Sequence, residues 1–188
     1  MPTLTPADRA YIRANYFTLE ELCAGRDESP DEVRELIARG LLPAPSYALE
    51  GLDFFPADYV VLPDQAGGAK RLRTHFAARY RAAGGDEAGI EEDWRGYIEG
   101  IYAVCLEHVL PETIIRKESL VVSLTGLLEQ PEPGDASWRA RLRREVRELD
   151  ALEREFAPDY DRSGRFPQPP SRDRLIRAAR ERYGAVLA

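Results

Sequence analysis

Apolar residues recur at intervals of three and four along most of the chain, and the polar interruptions between them carry helix-capping chemistry. This spacing predicts a first helix from Pro6 to Asn15, with Ala10, Tyr11 and Ala14 inward. Thr18 with Glu21, and Ser29-Pro30 with Glu32, have the capping-box spacing, so helices are expected to start just after Thr18 and Ser29. Gly25 and Gly40 end them, and Val33, Leu36 and Ile37 share one face of the helix Pro30 to Arg39. The one β signal is Tyr47 to Leu49 and Leu52 to Phe55 around Glu50-Gly51, a hairpin pattern. Pro56-Ala57-Asp58 is expected to open a short helix bearing Tyr59, Val60 and Leu62, and Gln65 to Gly68 a break. A helix from Lys70 to Ala83 follows, striped by Leu72, Phe76 and Tyr80, and Gly84-Gly85-Asp86 divides the chain into two halves.

The second half reads as helical throughout. Trp94, Tyr97, Ile98, Ile101, Cys105 and His108 fit a single helix from Glu91 to Val109. Pro111 starts another, with Ile114, Ile115, Leu120, Val121, Leu124, Leu127 and Leu128 available for burial. After a Pro-rich turn from Gln130 to Asp135, Trp138, Leu142, Val146, Leu149, Leu152 and Phe156 form the clearest amphipathic stripe. Its outer face pairs Arg141 with Glu145 and Asp150 with Arg154. Residues 157–170 read as irregular, and Ser171 is expected to cap a last helix carrying Leu175, Ala179 and Tyr183.

Composition narrows the function classes. The 188 residues carry a net charge of −7, which disfavours general affinity for phosphate backbones and predicts no nucleic-acid partner. No apolar run reaches the ~20 residues that span a bilayer, and no secretory signal is visible at the N-terminus. Two cysteines, Cys23 and Cys105, fit a reducing, cytoplasmic setting. Of the basic residues 24 are Arg, and Lys70 and Lys117 are the two Lys.

Two resemblances enter here. Residues 17–62 resemble the N-terminal winged helix of MerR-type regulators, through Leu-Glu-Glu-Leu (19–22), Ser-Pro-Asp-Glu-Val-Arg (29–34), Arg-Gly-Leu-Leu-Pro-Ala-Pro (39–45) and the hairpin. The whole chain resembles a group of uncharacterised bacterial natural-product biosynthesis proteins. The carrying motifs are Gly-Leu-Leu-Pro-Ala-Pro-Ser-Tyr (40–47), the segment Trp94 to Leu106 and Pro-Glu-Thr-Ile-Ile-Arg-Lys (111–117). Further on come Leu149 to Ala157, Asp161-Arg162 and Ser-Arg-Asp-Arg-Leu-Ile (171–176). Together these imply a mainly α protein: a MerR-like winged-helix unit (1–66), a connecting helix with a Gly-rich hinge (67–86), and a helical domain (87–188). The second resemblance implies a role in secondary metabolism. The expectation is that a hydrophobic or carrier-tethered small-molecule intermediate is bound, by a cofactor-independent tailoring or cyclising enzyme or an accessory protein, with a homodimer left open. The alternative is a MerR-type regulator sensing a metabolite.

Against DNA binding, residues 17–49 hold seven acids and three arginines, with Asp31 and Glu32 opening the would-be recognition helix. Residues 65–85 instead carry Lys70, Arg71, Arg73, Arg79 and Arg81 and no acid. No metal is expected: CxxC and HExxH are absent, and Cys105 and His108, three apart, read equally as core residues. Asp159 to Gly164 copies the start of a calcium loop, but position 12 is Pro170 where a bidentate Glu is required. No nucleotide loop is present, so no cofactor is expected.

The candidate site centres on Lys117. It lies four residues before Val121, so its stem points to the buried side of its helix. Two roles stand open: a stem that reaches outward to Glu112 or Asp150, or a cavity ammonium that holds a substrate carbonyl or carboxylate beside Cys105 and His108. Trp94, Tyr97, Tyr102, Glu112 and Arg116 complete the candidate substrate-binding set.

Overall fold

A computed structural model describes residues 4–154 and 169–187. The architecture is mainly helical with one small antiparallel sheet. Helix α1 (Pro6–Asn15) leads through β1 (Tyr16–Phe17) to α2 (Leu19–Leu22) and α3 (Pro30–Ala38). Both capping boxes form: the Thr18 hydroxyl accepts from Glu21 N–H and the Ser29 hydroxyl from Glu32 N–H, while each Glu carboxylate accepts from the cap backbone. On α1 the inward residues are Asp8 and Ile12, and Ala10 and Ala14 are exposed, which corrects the expected face. The reason is the sheet: Ile12 packs on Tyr16, Tyr47, Leu49, Phe54 and Val104, a surface that one helical stripe cannot reveal.

The hairpin β2 (Tyr47–Leu49) and β3 (Leu52–Pro56) forms as expected, with Tyr47 opposite Phe54 and Leu49 opposite Leu52. Glu50 and Gly51 both have positive φ, 55° and 80°, the conformation of a two-residue hairpin turn. β1 adds to the other edge, giving the order β1-β3-β2, with Tyr16 opposite Pro56. Pro56 thus ends a strand, and α4 (Val61–Ala66) begins five residues later than expected. Gln65 and Ala66 belong to α4, so the break shrinks to Gly67-Gly68 before α5 (Ala69–Ala82).

The largest correction lies in the second half. α6 (Glu87–Ile98) stops eleven residues short of Val109, because Gly100 takes φ +71° and turns the chain against Ala44. A single 3-10 turn (Tyr102–Val104) follows, then an extended segment in which Leu106 bridges Glu153. Cys105 and His108 therefore do not share a helical face with Trp94 and Tyr97. α7 (Pro111–Glu129) and α8 (Ala136–Leu152) then pack together, and a π-helical segment (Arg172–Arg177) runs into α9 (Ala178–Leu187). Leu120, Leu124, Trp138, Leu142, Leu149 and Ile176 fill that interface. A separate cluster takes Leu19, Phe55, Leu72, Phe76, Tyr97 and Ile114, from both sides of the Gly84–Asp86 turn. Phe156 and the Asp159 to Gly164 turn lie outside the described residues.

Two polar expectations for α8 also change. Arg141 does pair with Glu145, but Glu145 is buried and receives a hydrogen bond from Ser123 of α7, so the pair faces the α7–α8 seam. Asp150 pairs with Arg172 and Arg180, while Arg154 turns inward onto the Leu106 and Glu107 carbonyls.

Candidate functional site

The site follows from the early end of α6. Released from the helix, residues 105–107 run antiparallel to 152–154: Glu107 N–H donates to Leu152 O at 2.9 Å, and Arg154 N–H to Cys105 O at 3.1 Å. The Arg154 guanidinium clamps the same segment, donating from Nε to Leu106 O at 2.9 Å and from Nη2 to Glu107 O at 3.0 Å. This brings Cys105 beside the end of α8, where Glu153 leaves the helix in extended conformation. Lys117 comes up from α7, between the buried Ile114 and Leu120.

The Lys117 ammonium lies 3.0 Å from Glu153 Oε1, with the Lys side chain 16% exposed and the Glu side chain 0%. Cys105 is the other group that favours the charged form of Lys117. The thiol in turn donates to Tyr102 O at 3.4 Å. Burial works to lower the Lys117 pKa, but Cys105 and Glu153 outweigh it, so the pKa stands above its ordinary value and the group is an ammonium. Ser171 does not cap its helix: its hydroxyl donates to the same Glu153 oxygen, and Arg172 Nη2 donates to Glu153 O at 3.0 Å. The other carboxylate oxygen of Glu153, Oε2, is buried without a hydrogen-bond partner. Burying a charged oxygen with no donor costs free energy, so its retention here requires a reason. The π-helical turn directly after Ser171 is a second unusual feature, of a kind frequent at functional sites.

Of the residues expected from the sequence, Lys117, Cys105 and Tyr102 meet here. The Tyr102 hydroxyl points away, donating to Asp93, which also receives the Tyr80 hydroxyl at 2.6 Å. Burial, then the Asp93 carboxylate, push the Tyr102 pKa upward and keep it a neutral donor. Tyr97 and Trp94 belong to the aromatic cluster around Phe76, with Tyr97 buried and Trp94 half-buried. His108 is exposed and 3.6 Å from Asp58 Oδ2, apart from Cys105. Glu112 pairs with Arg79, and Arg116 with Glu148. Lys117 thus pairs with neither expected partner: Glu112 takes Arg79, and Asp150 takes two arginines. Sequence reasoning missed Glu153, Ser171 and Arg172. They lie in segments 149–157 and 171–176, two of the motifs already singled out in the sequence, as 94–106 and 111–117 supply Cys105 and Lys117.

A cleft of about 60 Å³ lies between α2, α3 and the start of α5, lined by Leu19, Cys23, Val33, Leu42, Tyr59 and Val60. Its one cation, Arg26, is locked bidentate onto Asp64 at 2.6 and 2.9 Å. Among the described residues there is no cluster of three or more metal-ligating side chains, and no helix is long and apolar enough to cross a membrane.

No curated protein and no solved structure matches this chain. The family of unknown function DUF6058 matches residues 68–184, a span that holds Cys105, Lys117, Glu153 and Ser171 and more than half of the chain. The chain belongs to that family.

Proposed function

We propose that this protein acts in natural-product biosynthesis, holding an apolar intermediate, free or tethered to a carrier protein, by its carbonyl or carboxylate at the Lys117 ammonium. The observation that carries this reading is the near-buried ammonium itself, paired with Glu153 at 3.0 Å among apolar helices. A surface Lys needs no such arrangement, and the second oxygen of the carboxylate partner here, Glu153, is buried without a hydrogen bond. The substrate's apolar body suits the surroundings, and no cofactor enters the scheme.

In this reading the N-terminal unit is a MerR-like winged helix that serves as a scaffold. Its α2–α3 turn and hairpin fit the resemblance, but its charges oppose DNA. Arg34 on α3 is taken by Glu20 and Asp31. Three of the five cations in the basic run after it are paired as well: Arg73 with Glu91, Arg79 with Glu112 and Arg81 with Glu87. The test is deletion of the gene with metabolite and transcript profiling. Loss of a product, with an accumulated precursor and unchanged transcripts of the neighbouring genes, is expected. Changed transcripts together with tight, salt-dependent binding of promoter DNA would support the regulator instead.

A further inference from the structure

We propose that the cleft between α2, α3 and the start of α5 is a second ligand site, which takes a short aliphatic carboxylate with its chain inside and its head group at the first turn of α5. The apolar lining comes from Leu19 and Leu22 of α2 and Val33 and Leu36 of α3, with Leu42 and Val60. Its interior of about 60 Å³ is well below the roughly 150 Å³ of an apolar cavity that holds benzene. An aromatic ring is therefore too large, and the end of a short alkyl chain fits. A concave apolar lining with a few polar groups is the usual form of a small-molecule site. No residue of the Lys117 site lines this cleft, so the inference stands apart from that reading.

Charge selects the head group. Gly68 and Ala69, the cap and the first residue of α5, form part of the wall. This helix of 14 residues has no acid in its first turn and no side-chain cap. Gly68 N–H donates to Pro63 O at 2.9 Å and Arg71 N–H to Gly68 O at 3.1 Å, which leaves the N–H groups of Ala69 and Lys70 for a ligand. A Cβ built on Gly68 would meet nothing within 4 Å, so the backbone here is open to close approach. Among the described residues Lys70 and Arg71 have no ion-pair partner, unlike Arg73, Arg79 and Arg81 further along the helix. The Arg71 guanidinium folds back over this turn, with Nη1 3.4 Å from the place of a Gly67 Cβ. The acids of the lining, Asp64 and Glu28, both contact Arg26, at 2.6 and 3.3 Å. That trio leaves one negative charge, against two free cations and the positive end of α5. The balance favours an anion, and the apolar lining favours one that carries an alkyl chain over an inorganic ion.

The test titrates the whole protein with hexanoate at pH 7 by isothermal calorimetry, with hexanol and hexylammonium as matched probes. Hexanoate should bind at least about tenfold more tightly than either, the scale of one hydrogen bond to a charged group. Ala69→Leu, which puts a larger side chain into the wall of the cleft, should abolish this binding. Lys70→Gln/Arg71→Gln, at two exposed positions, should weaken hexanoate about tenfold and leave hexanol unchanged. Lys117→Met/Glu153→Gln should bind hexanoate as wild type does. Binding lost in Lys117→Met/Glu153→Gln but kept in Ala69→Leu would place the carboxylate at Lys117, which overturns the cleft site and leaves the reading of Lys117 standing. Absence of hexanoate binding, equal affinity for the three probes, or unchanged hexanoate affinity in Lys70→Gln/Arg71→Gln would also overturn it.

Discussion

Replacing Gly100 by Ala attacks the feature that creates the site. Gly100 has φ +71°, and a Cβ there would sit 2.4 Å from Ala44 O and 3.2 Å from both Ala44 C and Pro45 O. All of these are backbone atoms, and Ala44 cannot retreat easily because its N–H donates to Ile98 O at 2.7 Å. The left-handed conformation alone costs an alanine about 1–2 kcal/mol. Forcing the backbone apart adds about 1–3 kcal/mol on the scale of overpacked cores. A loss of about 3 kcal/mol is expected in urea denaturation, or about 6–12 °C in Tm at 2–4 °C per kcal/mol for this chain length. Gly40→Ala is the control, since its φ is +67° with nothing within 4 Å of the added Cβ. It should lose only the conformational part, about 1–2 kcal/mol. Equal losses for the two variants would refute the claim that Gly100 is required for close approach to the 44–45 backbone.

Three further outcomes follow from the same contacts. Lys117→Met or Glu153→Gln alone leaves a buried charge unpaired and should cost about 3–5 kcal/mol, while Lys117→Met/Glu153→Gln recovers most of it, measured as a double-mutant cycle; additive losses would contradict the pairing. Ser29→Ala removes the side-chain acceptor for Glu32 N–H at the start of α3 and should cost about 1 kcal/mol in the same assay; no measurable loss would contradict the cap. Burial, then Asp93, Glu92 and Asp86, raise the Glu118 pKa above its ordinary value. Its folded form therefore favours the proton, and stability present in acid is lost as pH rises through the raised pKa. Glu118→Gln should be more stable than wild type at pH 7 by a few tenths of a kcal/mol, since the residue is exposed, and this advantage should vanish near pH 4; a pH-independent difference would contradict the shift.

Local signals made much of the fold legible. Thr18–Glu21 and Ser29–Glu32 close their capping boxes because the donors and acceptors lie within one turn. Glu50-Gly51 accepts two positive φ angles, so the hairpin register follows. The stripe Leu72, Phe76, Tyr80 is buried as its spacing implies. What failed depended on distant partners. The period of three and four runs past Gly100 without a pause, and only the approach of Ala44 shows why a glycine is there. β1 is two residues long and exists because the β3 edge offers it hydrogen bonds. Lys117 was legible from its register with Val121, but its partner was not. Glu153 reads as the polar end of an amphipathic helix, and its burial arises only when residues 105–107 lie alongside it. Ser171 has the composition of a cap, yet its hydroxyl serves Glu153.

The most direct measurement of the central claim is complementation of the deletion strain by Lys117→Met/Glu153→Gln, with the amount of folded protein and the metabolite profile read together. This variant replaces the buried charges by neutral groups of similar size and keeps an acceptor for Ser171, so it should fold to the wild-type level. If Lys117 acts on substrate, the product stays absent and its precursor accumulates, as in the uncomplemented strain. Full restoration of the product by that variant, at wild-type protein levels, would show the buried pair to be structural alone and would contradict the account.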